Sequence, residues 1–162
     1  MTIKPTKFCI FATITCTYAV FLFYLSSLSF PPAPPDLGFL YAFAYRLEDL
    51  GLSFLIYPFY FAYRHPDKFA HFVLYFGLGL LLKPTLSSSS NGVVSKYAVP
   101  FSIAIGTLYG ATDEFHQSFV PYRSASSMDL YADFLGLLFA QILILFYLGV
   151  KRLVKWEKVK RR

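Results

Sequence analysis

The side chains that could do chemistry lie in two short polar stretches, each at the end of an apolar run. The first, "PDKFAH" at residues 66–71, contains Asp67, Lys68 and His71. The second, "YGATDEFHQSFVPYRSASSMDLYADFLG" at residues 109–136, holds a larger set: Asp113, Glu114, His116, Gln117, Arg123, Asp129 and Asp133. Carboxylates beside histidines suit acid–base chemistry, and a guanidinium suits phosphate or carboxylate by bidentate pairing.

Helical spacing gathers these residues onto shared faces. In the first stretch Asp67, Lys68 and His71 share a face, and Asp129 and Asp133 lie one turn apart on a later helix. Three further residues share a face at the end of the intervening helix: Asp113, His116 and Gln117. Glu114 points about 100° away from its neighbour Asp113, toward a different partner.

The polar residues carry more negative than positive charge. Five carboxylates stand against two permanent cations, Lys68 and Arg123, which leaves three negative charges unbalanced before the histidines contribute. Burying such a surplus is costly, so protons, charged histidines or a bound cation must offset it. Magnesium or calcium would suit oxygen ligands. Because the sequence lacks a zinc-type "HExxH" and a Cys/His cluster, we assign no metal and no other cofactor, and a divalent cation stays one way to offset the charge.

The chain is too apolar for an ordinary soluble domain. Of its 162 residues, 56% are hydrophobic, 20% are aromatic and 15% are charged, whereas soluble domains carry about 25% charged residues. This composition and length predict one domain, an all-α integral membrane protein whose first partner is the lipid bilayer.

Four apolar runs are candidate membrane-spanning helices: Phe8–Phe30, Phe69–Leu82, Tyr97–Thr112 and Leu130–Val150. The first has 23 residues without a charge, enough to cross a hydrocarbon core of about 30 Å. The middle two are short, and they span only if the polar residues at their ends enter the membrane edge. We therefore predict a four-helix transmembrane bundle.

The basic residues set the orientation. With both termini in the cytoplasm, the inner segments hold most Lys and Arg residues and one acid, Glu157. This is the positive-inside pattern of a multi-pass protein of the cell membrane. The sequence thus divides into a membrane domain at 1–150 and a basic cytoplasmic tail at 151–162, "KRLVKWEKVKRR", which suits anionic lipid better than nucleic acid.

The loops carry further predictions. Between the first and second spans, Leu40, Phe43, Leu47 and Leu50 recur at helical spacing, which predicts an amphipathic helix in the outer membrane interface. The aromatic segment 52–63, broken by a proline, is interpreted as interfacial or shallowly re-entrant. The inner loop "KPTLSSSSNGVVSK" is interpreted as a flexible linker.

The predicted topology brings the polar residues to one depth. Asp67, Asp113 and Asp133 lie 16, 17 and 18 residues from the basic residues that mark the cytoplasmic ends of their helices. At about 1.5 Å per residue, all three carboxylates lie in one layer near the outer membrane edge. Close helix approach is predicted at small residues: Gly106 and Gly110, Gly136, and Gly77 or Gly79.

The two polar stretches also resemble the VanZ-like family of small bacterial membrane proteins. "DK-x-x-HF" matches Asp67, Lys68, His71 and Phe72. The longer pattern "DE-x-x-Q-x-F-x-P-x-R-x-x-x-x-D-x-x-A-D-x-x-G" matches Asp113, Glu114, Gln117, Phe119, Pro121, Arg123, Asp129, Ala132, Asp133 and Gly136. The resemblance implies four spanning helices and no established reaction. The family is named for a protein associated with reduced susceptibility to teicoplanin. Tyr122 stands where the family commonly has glycine, which predicts a stiffer turn before Arg123.

The functional hypothesis is an outward-facing polar pocket that binds a lipid or cell-wall-related ligand and affects glycopeptide susceptibility. Its predicted ligand-binding residues are Asp67, Lys68, His71, Asp113, Glu114, Gln117, Arg123, Asp129 and Asp133. No catalytic residue is assigned, and the candidates are Asp113, Glu114, His71 and Asp133. The alternatives are a membrane enzyme acting on lipid headgroups by acid–base catalysis, a proton-coupled transporter, and a purely structural clamp of salt bridges.

Overall fold

A computed structural model describes residues 7–29, 38–52 and 64–161. Its helices are α1 (Lys7–Ser26), α2 (Gly38–Asp49), α3 (Pro66–Ser87), α4 (Gly92–Lys96), α5 (Ala98–Gln117) and α6 (Ser127–Lys160). No strand occurs in these three ranges, so the prediction of an all-α protein is confirmed for them. Most of the predicted re-entrant segment, residues 53–63, lies outside the described residues.

Three of the described helices are long and apolar enough to cross a membrane: α1, α3 and α6. They indicate a multi-pass membrane protein. Large apolar side chains such as Phe21, Phe23, Leu145 and Phe146 are exposed along them. So much apolar surface is rare on a soluble monomer, whereas contact with lipid requires it.

Three helices, α3, α5 and α6, are longer than the apolar runs that predicted them, whereas α1 ends at Ser26, before the predicted end at Phe30. Helix α3 begins at Pro66, a favourable first position because proline lacks the N–H that a helix start leaves unpaired. It therefore includes Asp67, Lys68 and His71. Helix α5 continues to Gln117, and α6 runs without a break through the basic tail to Lys160.

The predicted flexible linker at 83–96 is largely helical, and that prediction was wrong. Helix α3 continues through Pro84 to Ser87, and α4 begins after Asn91, whose side chain accepts from the backbone N–H groups of Val93 and Val94. The run of serines was interpreted only as low complexity. Serine and asparagine also favour the positions that cap helices, and this stretch contains two helix ends.

Helices α3 and α6 run parallel and make the most extensive contact among the described helices. At Gly136 an added Cβ would collide with the backbone oxygen of Phe72, and at Gly79 it would lie 2.8 Å from the Cβ of Ala140. Beside this second point, Nε2 of Gln141 donates to the backbone oxygen of Gly79 at 3.1 Å. The predicted close approach at Gly136 and Gly79 is confirmed.

A small core of buried residues holds α1, α3 and α6 together: Leu22, Tyr75, Leu78, Leu82 and Leu137. Helix α5 packs on this core through Gly106, where an added Cβ would meet the side chain of Leu137. The hydroxyl of Tyr109 donates to the backbone oxygen of Ala19 at 2.6 Å and ties α5 to α1. This packing brings together the polar start of α3, the polar end of α5 and the start of α6.

Candidate functional site

Lys68 connects the first turn of α3 to the first turn of α6. Its Nζ lies 2.8 Å from Oδ2 of Asp67 and 2.8 Å from Oδ1 of Asp129. The side chain of Asp129 is 11% exposed, whereas that of Asp67 is 59% exposed. The ammonium therefore neutralises the buried carboxylate, and Asp67 stands at the rim.

One turn deeper, His71 makes the corresponding contact. Its Nδ1 lies 2.9 Å from Oδ1 of Asp133 and 3.9 Å from Oε1 of Glu114. Asp133 has no exposed side-chain surface, and Glu114 is buried as well. A histidine from α3, a glutamate from α5 and an aspartate from α6 thus meet at one point, which we call the triad.

A third contact leads inward from the loop between α5 and α6. Nη2 of Arg123 donates to Oε1 of Gln117 at 2.6 Å, and Nε2 of Gln117 donates to Oδ2 of Asp113 at 3.2 Å. Arg123 is partly exposed, whereas Gln117 and Asp113 are buried. Gln117 therefore links the guanidinium of Arg123 to the buried carboxylate of Asp113 through two hydrogen bonds.

Glu114 also fixes the start of α6. Its Oε2 accepts from the backbone N–H of Ser126 at 2.6 Å, and Oγ of Ser126 in turn accepts from the N–H of Asp129 at 3.3 Å. Ser126 is thus the N-cap of α6. The two bonds hold Asp129 and Asp133 in place relative to α5.

Several buried oxygens of the site have no hydrogen-bond partner among the described residues. They are Oδ1 of Asp113, Oε1 of Glu114, Oδ2 of Asp133 and the hydroxyl of Tyr75. Asp113 and Asp133 each use one oxygen for the contacts above, and Glu114 uses Oε2 for its hydrogen bond, whereas its Oε1 has only the 3.9 Å contact with His71. Buried polar atoms are normally paired, so these four indicate a place where a ligand, an ion or water completes the bonding.

In a comparison with protein-family models, residues 10–148 match the family described as VanZ/LLP1. The match covers most of the chain and every residue of the site. The chain belongs to the VanZ/LLP1 family. Neither the curated proteins nor the solved structures gave a match to it.

In this VanZ/LLP1 protein the structure brings together eight of the nine predicted ligand-binding residues as one polar cluster: Lys68, His71, Asp113, Glu114, Gln117, Arg123, Asp129 and Asp133. Asp67 reaches the cluster through Lys68 but is largely exposed. Whether these residues bind a ligand stays a prediction.

His116 departs from its predicted place. Its ring lies 4.6 Å from that of Phe23, and its Nε2 is 3.2 Å from Oγ of Ser27, both on the side of α1. Although His116 and Gln117 were assigned to one helix face, successive residues diverge by about 100°. Gln117 turns toward the cluster, and His116 turns away from it.

Two residues of the site were missed from the sequence, Tyr75 and Gly110. Tyr75 lies one turn after His71, with its ring stacked at 6.4 Å, so the four-residue spacing was the available signal. Gly110 was predicted only as a packing residue. An added Cβ there would lie 2.8 Å from Oδ2 of Asp133 and 3.3 Å from Cε1 of Tyr75, so glycine makes room for both.

In this VanZ/LLP1 protein the contacts also locate the negative charge surplus of the polar cluster. Arg123 and Asp113 balance through Gln117, and Lys68 balances Asp129, which leaves Asp67 exposed at the rim. The remaining two negative charges belong to the triad carboxylates. Such a site can accept hydrogen bonds, exchange protons with the imidazole, or bind a cation.

Proposed function

We propose that this VanZ/LLP1 protein binds the anionic head group of a lipid or of a lipid-linked cell-wall precursor. The observation that carries the proposal is the position of Arg123. It lies partly exposed in the loop above the cluster, and one of its two terminal nitrogens bonds to Gln117. The other guanidinium N–H groups could bind a phosphate or carboxylate by two parallel bonds.

The neighbouring carboxylate supports a ligand with donors beside its anionic group. Oδ1 of Asp113 is buried and has no partner in the described part of the chain. Hydroxyl or ammonium groups, common in lipid and cell-wall head groups, could donate to it. Lys68 is less suited to the anion, because Asp67 and Asp129 already neutralise its ammonium.

The proposal includes a topology. The protein lies in the cell membrane with both termini in the cytoplasm. Helix α5 is a fourth spanning helix beside the three apolar ones, and α2 lies in the outer membrane interface. The distribution of basic residues supports this orientation. Arg123 and the cluster then open toward the outer face of the cell envelope. The variants Ser124→Cys and Ser89→Cys test this topology. A thiol reagent that cannot cross the membrane, added from outside, should label only Ser124→Cys.

Head-group binding can be measured on purified protein in detergent by native mass spectrometry. Phosphatidylglycerol, phosphatidylethanolamine and a polyprenyl phosphate are the probes. We expect one of them to bind at one molecule per chain, and Arg123→Ala to weaken it at least about tenfold, since a charge-assisted bond contributes about 1.5–3 kcal/mol. Arg46→Ala removes the same charge from exposed α2 and is the control. Equal loss in both variants, or no bound lipid, contradicts the proposal.

The pairing of His71 with Asp133 favours a second candidate, an enzyme acting on such a head group by acid–base catalysis. A carboxylate that holds an imidazole nitrogen at 2.9 Å orients it for proton transfer. Incubation of the protein with the same lipids and chromatography of the mixture separates the two. Binding without any new product supports the binder, whereas a product that His71→Asn abolishes supports the enzyme.

The glycopeptide phenotype belongs to the proposal as its cellular consequence. A protein that binds a cell-wall precursor at the outer face would change what teicoplanin reaches. Expression in a teicoplanin-susceptible bacterium should therefore raise the inhibitory concentration, and Arg123→Ala at equal membrane abundance should not.

A further inference from the structure

We propose that His71, Glu114 and Asp133 bind one divalent transition-metal ion through Nδ1 of the imidazole and one oxygen of each carboxylate. The site goes beyond the proposed head-group binding, because the ion needs no lipid to bind. It would also place a positive centre at the bottom of a cluster that is otherwise negative.

The geometry of the three groups fits one ion. Their ligand atoms come from three different helices and all lie within 4.8 Å of one another. Nδ1 of His71 is 2.9 Å from Asp133 and 3.9 Å from Glu114. Ligands about 2.0–2.2 Å from an ion lie about 3–3.5 Å from each other, so small side-chain movements would bring all three into coordination.

The unpaired atoms of the site point independently to a ligand. Oε1 of Glu114 is buried and has no hydrogen-bond partner among the described residues, and it is the oxygen that lies 3.9 Å from Nδ1 of His71. The hydroxyl of Tyr75, a residue 1% exposed, likewise has no partner there. Glu114 and Asp133 lie close enough to Tyr75 for electrostatic interaction. A metal ion would bind Oε1 of Glu114, and an oxygen coordinated to the ion would accept a hydrogen bond from the hydroxyl of Tyr75.

The charge of the triad fits a divalent ion. Two ionised carboxylates and a neutral imidazole carry two negative charges, which one divalent ion cancels. The other acids of the cluster are balanced by Lys68 and Arg123, apart from the exposed Asp67. An ion at the triad would therefore remove all of the buried surplus.

The ligand set selects the kind of ion. Magnesium and calcium prefer oxygen ligands alone, whereas an imidazole with carboxylates suits zinc or manganese. Three protein ligands leave coordination positions open for water or for an oxygen of a head group, as in catalytic zinc sites. No sequence motif indicated such a site, because its ligands are 43 and 19 residues apart along the chain.

The test measures metal alone on the full chain in detergent. After stripping with a chelator, the protein is equilibrated with Zn²⁺ or Mn²⁺, desalted, and its metal content is measured. We expect one ion per chain. Since even groups that only support metal ligands contribute 10–100-fold, we expect Glu114→Gln and His71→Asn to weaken binding at least about 100-fold. Magnesium or calcium in about tenfold excess should not displace the ion.

A spectroscopic readout identifies the histidine. With Mn²⁺ bound, pulsed electron paramagnetic resonance detects a coordinating nitrogen, and the chain has three histidines. The nitrogen signal should persist in His65→Asn and His116→Asn and disappear in His71→Asn. Glu157→Gln, in the exposed tail, is the matched control for Glu114→Gln and should bind as the unsubstituted protein does.

Three results would overturn the proposal: an unsubstituted protein that keeps no metal, a nitrogen signal that survives in His71→Asn, or metal content unchanged in the triple variant of the triad, which would indicate adventitious binding. If a variant fails to fold, the metal content and nitrogen signal of the unsubstituted protein still decide. Because no lipid is added, a failure here leaves head-group binding to its own test.

Discussion

His71 on α3 and Asp133 on α6 are joined at 2.9 Å, one turn deeper than the contact of Lys68 with Asp129. The two pairs form a ladder between parallel helices, and Gly136 brings the backbones together just beyond it. The outer pair balances its charges, whereas the inner pair faces a second carboxylate, Glu114. This difference separates a balanced ion pair from the proposed binding site within one helix interface.

The first prediction concerns Glu114 in metal-free protein. The substitution Glu114→Gln keeps a carbonyl oxygen for the N–H of Ser126 and removes a buried charge whose other oxygen is unpaired. We expect the variant to be about 1 kcal/mol more stable to unfolding than the unsubstituted protein when both are stripped of metal. Thermal unfolding in detergent, with Glu157→Gln as control, measures this.

The same experiment with metal should reverse the order. Zinc should raise the unfolding temperature of the unsubstituted protein, because a ligand that binds only the folded state stabilises it. Glu114→Gln should gain little. A structural clamp predicts the opposite in both conditions: loss of stability in the variant without metal, and no effect of zinc on either protein.

The second prediction concerns Lys68 and Asp129. Replacing Lys68 with methionine keeps its volume and leaves Asp129 buried without its cation, which should cost about 3 kcal/mol. Adding Asp129→Asn to that variant should recover most of the loss, because neither charge then remains. A double-mutant cycle of unfolding free energies gives the coupling between the two side chains. Additive losses would show that the contact is not a stabilising pair.

The sequence predicted which residues converge better than how far the helices run. Apolar runs placed the start of α3 at Phe69 and the end of α5 at Thr112, but the polar turns at 66–68 and 113–117 are helical too. A hydropathy pattern stops where polar residues begin. Polar residues buried in a helix interface are invisible to it, since their burial depends on partners in other helices.

The pairing inside the cluster could not be predicted. That His71 meets Asp133 and Lys68 meets Asp129 follows from the parallel register of α3 and α6, which is set by tertiary packing at Gly136 and Gly79. Helical spacing gave the faces, and it failed at His116 because the two sides of α5 contact different neighbours. Which side of α5 faces the polar cluster depends on how α5 packs against its neighbouring helices.

The third prediction concerns Tyr122, which has a φ of 64° in the turn before Arg123. This left-handed conformation costs a non-glycine residue about 1–2 kcal/mol, and Tyr122 is 85% exposed, so little buried surface is lost with it. Tyr122→Gly should be as stable as the unsubstituted protein to within about 1 kcal/mol, because relief of strain is offset by the entropy of glycine. Tyr122→Val should be less stable, since β-branched residues fit this region worst. Equal unfolding temperatures for both variants would contradict the strain.

The fourth prediction concerns Gly136, where α6 touches the backbone of α3. An alanine Cβ would collide with the oxygen of Phe72 and lie 2.8 Å from the nitrogen of Phe76, both backbone atoms that cannot rotate away. Gly136→Ala should therefore separate the helices and cost at least about 2 kcal/mol of unfolding free energy. Gly149→Ala is the matched control on the same helix, because nothing lies within 4 Å of its added Cβ. It should be neutral or stabilising by up to about 1 kcal/mol, as alanine favours helix.

Since the Lys68 and His71 contacts lie within two turns of Gly136, the Gly136→Ala variant should also bind metal more weakly at the triad, and Gly149→Ala should not. A Gly136→Ala protein that keeps both its stability and its metal affinity would show that this close approach does not set the geometry of the site.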